Sequence, residues 1–132
     1  MVEVVAAVIV RDGEILIGQR KRTGRHPLKW EFPGGKVELG EDPRAALARE
    51  LREELNVEAD IGEELDSYEV SYADGYRLML HFYRVTEFQG ELRNLDFEQI
   101  AWEKPDRLPS YDFLEGDVTF VSKIAEWPAE AG

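Results

Sequence analysis

From Val2 to Val10 the chain is apolar at nearly every position and rich in β-branched side chains, which predicts a strand. Asp12-Gly13 then reads as a hairpin-type turn, and Ile15 to Ile17 as a second short strand. Arg20 to Lys29, which contains Gly24 and Pro27, is loop-like, and Pro33-Gly34-Gly35 continues irregular backbone. The pattern next changes to a helical one. Asp42 suits an N-cap, Pro43 the first turn, and Ala45 to Leu55 is almost wholly strong helix formers, with Asn56 fit for a left-handed residue just beyond. Tyr68 to Tyr72 and Arg77 to Val85 predict strands separated by Asp74-Gly75, with a further short strand at Ile100 to Trp102. A final helix falls within Gly116 to Trp127, and Pro128 to Gly132 forms a loose tail. Strands interleaved with two helices imply an α/β fold, a mixed sheet with a helix on each face. No repeat, low-complexity tract or linker divides the sequence, so a single domain over 1–132 is expected.

Composition narrows the possible chemistry. A net charge of -12 argues against broad binding to a nucleic-acid backbone, which needs a basic face. Small anions stay open as ligands, given a local basic patch or a divalent cation. No apolar run approaches the roughly 20 residues of a membrane-spanning helix, so no membrane partner is expected. The start Met-Val-Glu-Val-Val lacks the positive lead of a signal peptide, and a cytoplasmic protein is the expectation. The chain has no cysteine and only two histidines, so any metal site must rest mainly on carboxylates. Protein partners are not legible in the sequence.

At about 100° per residue, Glu50, Glu53 and Glu54 share one arc of the predicted helix about 100° wide, while Leu47, Leu51 and Leu55 form a separate stripe that would anchor it on a core. Like charges spaced three and four apart repel, and a divalent cation relieves the repulsion. Hard oxygen ligands suit Mg²⁺, which commonly bridges carboxylates to substrate phosphates. The alternative is a solvated acidic face paired with Arg49 and Arg52.

Gly35, Glu41, Arg49, Glu50, Leu51, Glu53, Glu54 and Val57 fall in order on the Nudix box, and the chain resembles that family of pyrophosphohydrolases. The one departure is Asn56, where the family has Gly; Asn is the next-best residue for a left-handed helix end. Trp30-Glu31-Phe32-Pro33-Gly34-Gly35-Lys36 is similar to the loop of the MutT-like branch, which acts on nucleoside triphosphates. The resemblance implies the Nudix fold, a mixed β-sheet sandwiched between α-helices. It also implies Mg²⁺, with Mn²⁺ as a substitute, held by Glu50, Glu53, Glu54 and a backbone carbonyl at Gly34 or Gly35. Glu41 would then partner Arg49, and Arg49 would orient carboxylates. Water would attack the β-phosphorus of a triphosphate, with Glu53 or a downstream acid as general base; Asp96 aligns with such an acid and Glu98 competes.

Five basic residues, Arg20, Lys21, Arg22, Arg25 and Lys29, crowd one loop, which His26 shares. By the resemblance Arg20 grips phosphate, with Lys36 also on the substrate; the others are equally consistent with a solvated loop. Phe32, Val5 and Tyr72 are candidates for an apolar base slot, with core packing as their alternative. Asp117 aligns with a residue that reads the base edge, where a carboxylate would accept from an exocyclic amine, or else it caps the last helix. The expected substrate is a nucleotide such as 8-oxo-dGTP, CTP or 5-methyl-dCTP. The alternatives are ADP-ribose or another nucleoside diphosphate derivative, and a non-catalytic nucleotide sensor, against which retention of all three glutamates speaks.

Overall fold

A computed structural model describes residues 1–127, so the expected loose tail from Pro128 to Gly132 lies outside the described residues. Its centre is β1 (Val2–Arg11), apolar for a physical reason: both of its faces are covered. Ala6, Val8 and Val10 enter one core with Phe82, Phe120, Val121 and Ile124. Val5, Ala7 and Ile9 enter a second with Leu47, Leu51 and Leu55. The strand therefore separates two cores, and its period of two sends alternate residues to each.

β1 runs parallel to β7 (Arg77–Val85) and, on its other edge, antiparallel to β4 (Gly34–Lys36). Its far end turns through Asp12-Gly13, both at positive φ, into β2 (Glu14–Gln19), which pairs with β3 (Trp30–Glu31) and β9 (Gln99–Glu103). β6 (Glu64–Ser71) lies antiparallel to β7, giving a mixed sheet of order β3-β2-β1-β7-β6. β5 (Glu58–Asp60) and β8 (Glu87–Gln89) form a separate ribbon. Helix α1 (Pro43–Leu55) covers one face of the sheet. Helix α2 (Val118–Ile124), with tight 3₁₀ turns at Pro105–Ser110 and Glu115–Asp117, covers the other. Among the described residues no helix is long and apolar enough to cross a membrane.

Two local readings change. Pro33-Gly34-Gly35 was expected to be irregular, yet Gly34 and Gly35 pair with Ala6 and Val5. A Cβ on Gly34 would lie 2.0 Å from the Val5 carbonyl oxygen, so glycine here permits a close strand approach and does not mark a break. The strand expected at Tyr68 to Tyr72 begins earlier, at Glu64, and ends at Ser71, leaving Tyr72 in the turn.

The ends of α1 follow their sequence signals. Asp42 accepts from the Ala45 N–H at 3.2 Å, and Asn56 takes φ 64° while its N–H donates to the Arg52 carbonyl. Asn56 Nδ2 also donates to the Glu91 carbonyl at 3.0 Å, tying the helix end to the following loop. Asn56→Gly gains left-handed freedom and loses that bond, so it should shift stability by less than about 1 kcal/mol, whereas Asn56→Ala loses both and should cost about 1–2 kcal/mol. Urea unfolding midpoints of the two variants check this ordering.

Candidate active site

Burial of Leu47, Leu51 and Leu55 fixes the rotation of α1 and thereby aims its glutamates. Glu54 lies next to the leucine stripe and is only 8% exposed, its Oε1 accepting from the Gly34 N–H at 3.0 Å. Burial, reinforced by the carboxylates of Glu31 and Glu50, pushes Glu54 up to about 9. Glu50 is raised too, chiefly by burial, with Arg49 pulling the other way. Glu53, at the outer edge of the arc, is 56% exposed.

Arg49 organises this face. Its Nε and Nη2 hold both oxygens of Glu41 at 2.9 and 3.0 Å, and Nη2 also meets the Lys36 carbonyl at 3.2 Å. Nη1 donates to Glu50 at 2.9 Å and to Glu53 at 3.1 Å, so these two carboxylates converge on one nitrogen. That fork holds Glu41 well below the usual range, at about 2. Arg49 does not line the adjoining cavity; its side chain is spent on Glu41, Glu50, Glu53 and the Lys36 carbonyl. Arg49→Lys removes the planar fork and should lower kcat roughly 10- to 100-fold with little change in KM, as steady-state kinetics would show.

Among the described residues no three acidic or imidazole side chains already form a closed metal cage. The chemistry of the donor set nevertheless fits a hard divalent cation. Glu50 and Glu54 are carboxylates whose charged forms burial disfavours, and the chain has no cysteine thiolate to compete with them. A Cβ on Gly35 would lie 2.5 Å from the Glu50 carboxylate, so a side chain there would displace that carboxylate from its present position.

A cavity of about 390 Å³ opens beside this face. Gly34, Gly35, Lys36, Glu54 and Asp96 line it, as do Val5, Phe32, Tyr72 and Asp117. Phe32 also serves the core, being 3% exposed, stacked on Phe113 and edge-on to Phe82 and Phe120. Asp117 is buried, pushed up to about 8 mainly by desolvation and further by Glu31, with a hydrogen bond from the Phe32 backbone opposing. Its side chain makes no capping bond to α2, which removes the capping alternative.

The basic loop divides. Arg20, Arg25 and His26 line the cavity, while Arg22 is held by Glu98 at 2.9 Å and Lys29 by Asp112 at 2.8 Å. Glu98 is thus engaged away from the cavity, whereas Asp96 faces it. Arg20 Nη1 donates to Glu31 at 3.1 Å and its Nε to the Arg25 carbonyl at 3.0 Å.

Glu31 was not singled out from the sequence, although it lines the cavity and its carboxylate raises both Glu54 and Asp117. Burial raises Glu31 against the pull of Arg20. The available signal was a charged residue between two aromatics that the core demands. Tyr76 and Leu78 also line the cavity and were not anticipated.

The NUDIX domain model matches residues 1–124. The chain is 40% identical to the CTP pyrophosphohydrolase of Escherichia coli (strain K12), with 98% of each covered. It is 39% identical to the putative 8-oxo-dGTP diphosphatase 2 of Mycobacterium tuberculosis (strain ATCC 25618 / H37Rv), over 92% of this chain and 86% of that one. Among solved structures, that of the Escherichia coli ORF135 protein superposes with a TM-score of 0.83 at 40% identity, covering 92% of this chain and 86% of the other. A helix that carries Glu50, Glu53 and Glu54 beside a glycine strand, in a chain matched along almost its whole length, places this protein in the Nudix hydrolase family.

Proposed function

We propose that the protein hydrolyses a nucleoside triphosphate at the β-phosphorus, releasing a nucleoside monophosphate and pyrophosphate, with preference for a base that carries an exocyclic amine. The observation that carries this reading is one cavity lined both by Glu54, from the acidic face of α1, and by the buried carboxyl of Asp117. Similarity to a CTP pyrophosphohydrolase supports it.

Glu50, Glu53 and Glu54, with a backbone carbonyl at Gly34 or Gly35, would hold Mg²⁺, for which Mn²⁺ can substitute. When bound, the cation neutralises phosphate charge and makes a coordinated water more acidic. Arg20 and Lys36 face the phosphates and orient them. Glu53 or Asp96 takes the proton of the attacking water, since Asp96 lines the cavity, Glu53 stands on the same helix face as Glu54, and neither is sequestered in the core. Asp117 stays protonated near neutral pH, so its carbonyl oxygen accepts from a base amine while its O–H donates to the adjacent ring nitrogen. Phe32 and Leu78 supply the apolar wall. Free triphosphates are a cytoplasmic pool, and the protein acts there.

The test is incubation with Mg²⁺ and a panel of triphosphates, oxidised and methylated ones included, with ADP-ribose alongside. Pyrophosphate release, fastest with an amine-bearing base, is expected. Orthophosphate in its place rules out attack at the β-phosphorus, turnover of ADP-ribose alone moves the substrate to diphosphate derivatives, and no turnover of any member leaves a nucleotide sensor.

A further inference from the structure

A neutral carboxyl offers one donor and one acceptor, and rotation exchanges them. Asp117 alone can therefore match the amine and ring nitrogen of cytosine or, turned over, the carbonyl and ring N–H of uracil. Discrimination requires a second polar group beside it. Among the described tyrosines near Asp117, the Tyr68 hydroxyl is already engaged: it donates to the Gly116 carbonyl at 2.7 Å and accepts from the Phe120 N–H at 3.3 Å, pinning the turn that carries Asp117 onto β6. Tyr72 differs. It lines the cavity, its hydroxyl lies 3.5 Å from where a Cβ on Gly116 would stand, and that hydroxyl makes no hydrogen bond among the described residues. Its ring is braced by Tyr76, with centroids 6.0 Å apart, in the turn closed by the Tyr72 N–H donating to the Tyr76 carbonyl. Burial and the nearby carboxyls of Asp117 and Glu115 hold its phenol above the ordinary value, so it keeps its proton.

We infer that Tyr72 is a specificity-determining residue whose hydroxyl reads the base edge together with Asp117, while its ring closes one side of the base slot. The inference rests on the proposed reading of the base by Asp117. It extends the apolar role expected of Tyr72 to a polar one, because the ring is held at the end of β6 with its oxygen turned toward the Gly116-Asp117 turn.

The experiment compares Tyr72→Phe and Asp117→Asn with the unaltered protein on CTP, UTP and methyl triphosphate, which has no base, after thermal melts establish folding. Tyr72→Phe keeps the ring and removes one hydrogen-bonding group. It should lower kcat/KM for CTP roughly tenfold, the loss carried by KM, and should narrow the preference between CTP and UTP. The KM for methyl triphosphate should not move. An unchanged CTP-to-UTP ratio in Tyr72→Phe overturns the inference, and so does an equal rise in KM for methyl triphosphate, which would mark a structural effect. If Asp117→Asn shifts the ratio and Tyr72→Phe does not, only Tyr72 loses its role; if neither shifts it, base reading by this pair fails as a whole.

Discussion

Glu53→Gln should lower kcat by roughly 10²–10⁴-fold while leaving the fold in place. In the proposed site this carboxylate either holds the cation or receives the proton of the attacking water, and an amide of the same size does neither. Its structural contribution is small. It is more than half exposed, and its one ion pair among the described residues is a helical contact to Arg49 four residues earlier, a type worth about 0.3–0.5 kcal/mol. Chemistry and stability therefore separate cleanly at this residue, which makes it a sharper probe than any buried member of the cluster. The measurements are steady-state release of pyrophosphate and a thermal melt of the same preparation. A folded variant whose kcat stays within about fivefold removes Glu53 from the reaction and leaves Asp96 to receive the proton.

The separability follows from the helix itself, and that part was legible beforehand. A stripe of leucines four apart fixes which side of α1 faces the core, and the positions of Glu50, Glu53 and Glu54 on the remaining arc follow from the helical period. The caps at Asp42 and Asn56 were equally readable, because local hydrogen bonding decides them. Less legible was everything that depends on which distant segment becomes a neighbour. The glycines before Lys36 look like a break until β1 lies within 2.0 Å of where a side chain would begin. Asp96 and Glu98 are two residues apart in one acidic stretch, and only the position of Arg22 across the sheet shows which is engaged elsewhere. Glu31 lies in a two-residue strand too short to carry a period, so its one sequence signal was a charge flanked by two aromatics. For Asp117 the sequence allowed a cap or a reader of the base, and the absence of a capping bond decides against the former.

Glu54→Gln should abolish turnover and yet make the metal-free protein more stable at alkaline pH. In the folded chain the acid form of Glu54 is favoured by burial and by the neighbouring charges of Glu31 and Glu50, so its pKa rises from 4.5 to about 9. Between those values the folded state binds more protons than the unfolded one. Stability therefore falls as pH rises through that window, and the loss is complete above about 9. Asp117, raised to about 8, adds a loss of the same sign and leaves a residual slope in the variant. Glutamine keeps an oxygen for the Gly34 N–H without the buried charge. At about pH 5 variant and parent should melt together; at about pH 8.5, with chelator present, the variant should be more stable by on the order of 2 kcal/mol, or roughly 8 °C. Mg²⁺ should close that gap by stabilising the parent, because a ligand that binds only the folded state adds stability in proportion to the logarithm of its excess over Kd, and the variant has lost one of the groups that hold it. A parent whose melting temperature does not fall toward alkaline pH, or a variant that gains as much from Mg²⁺ as the parent, would mean that Glu54 does not keep a buried charge ready for a cation.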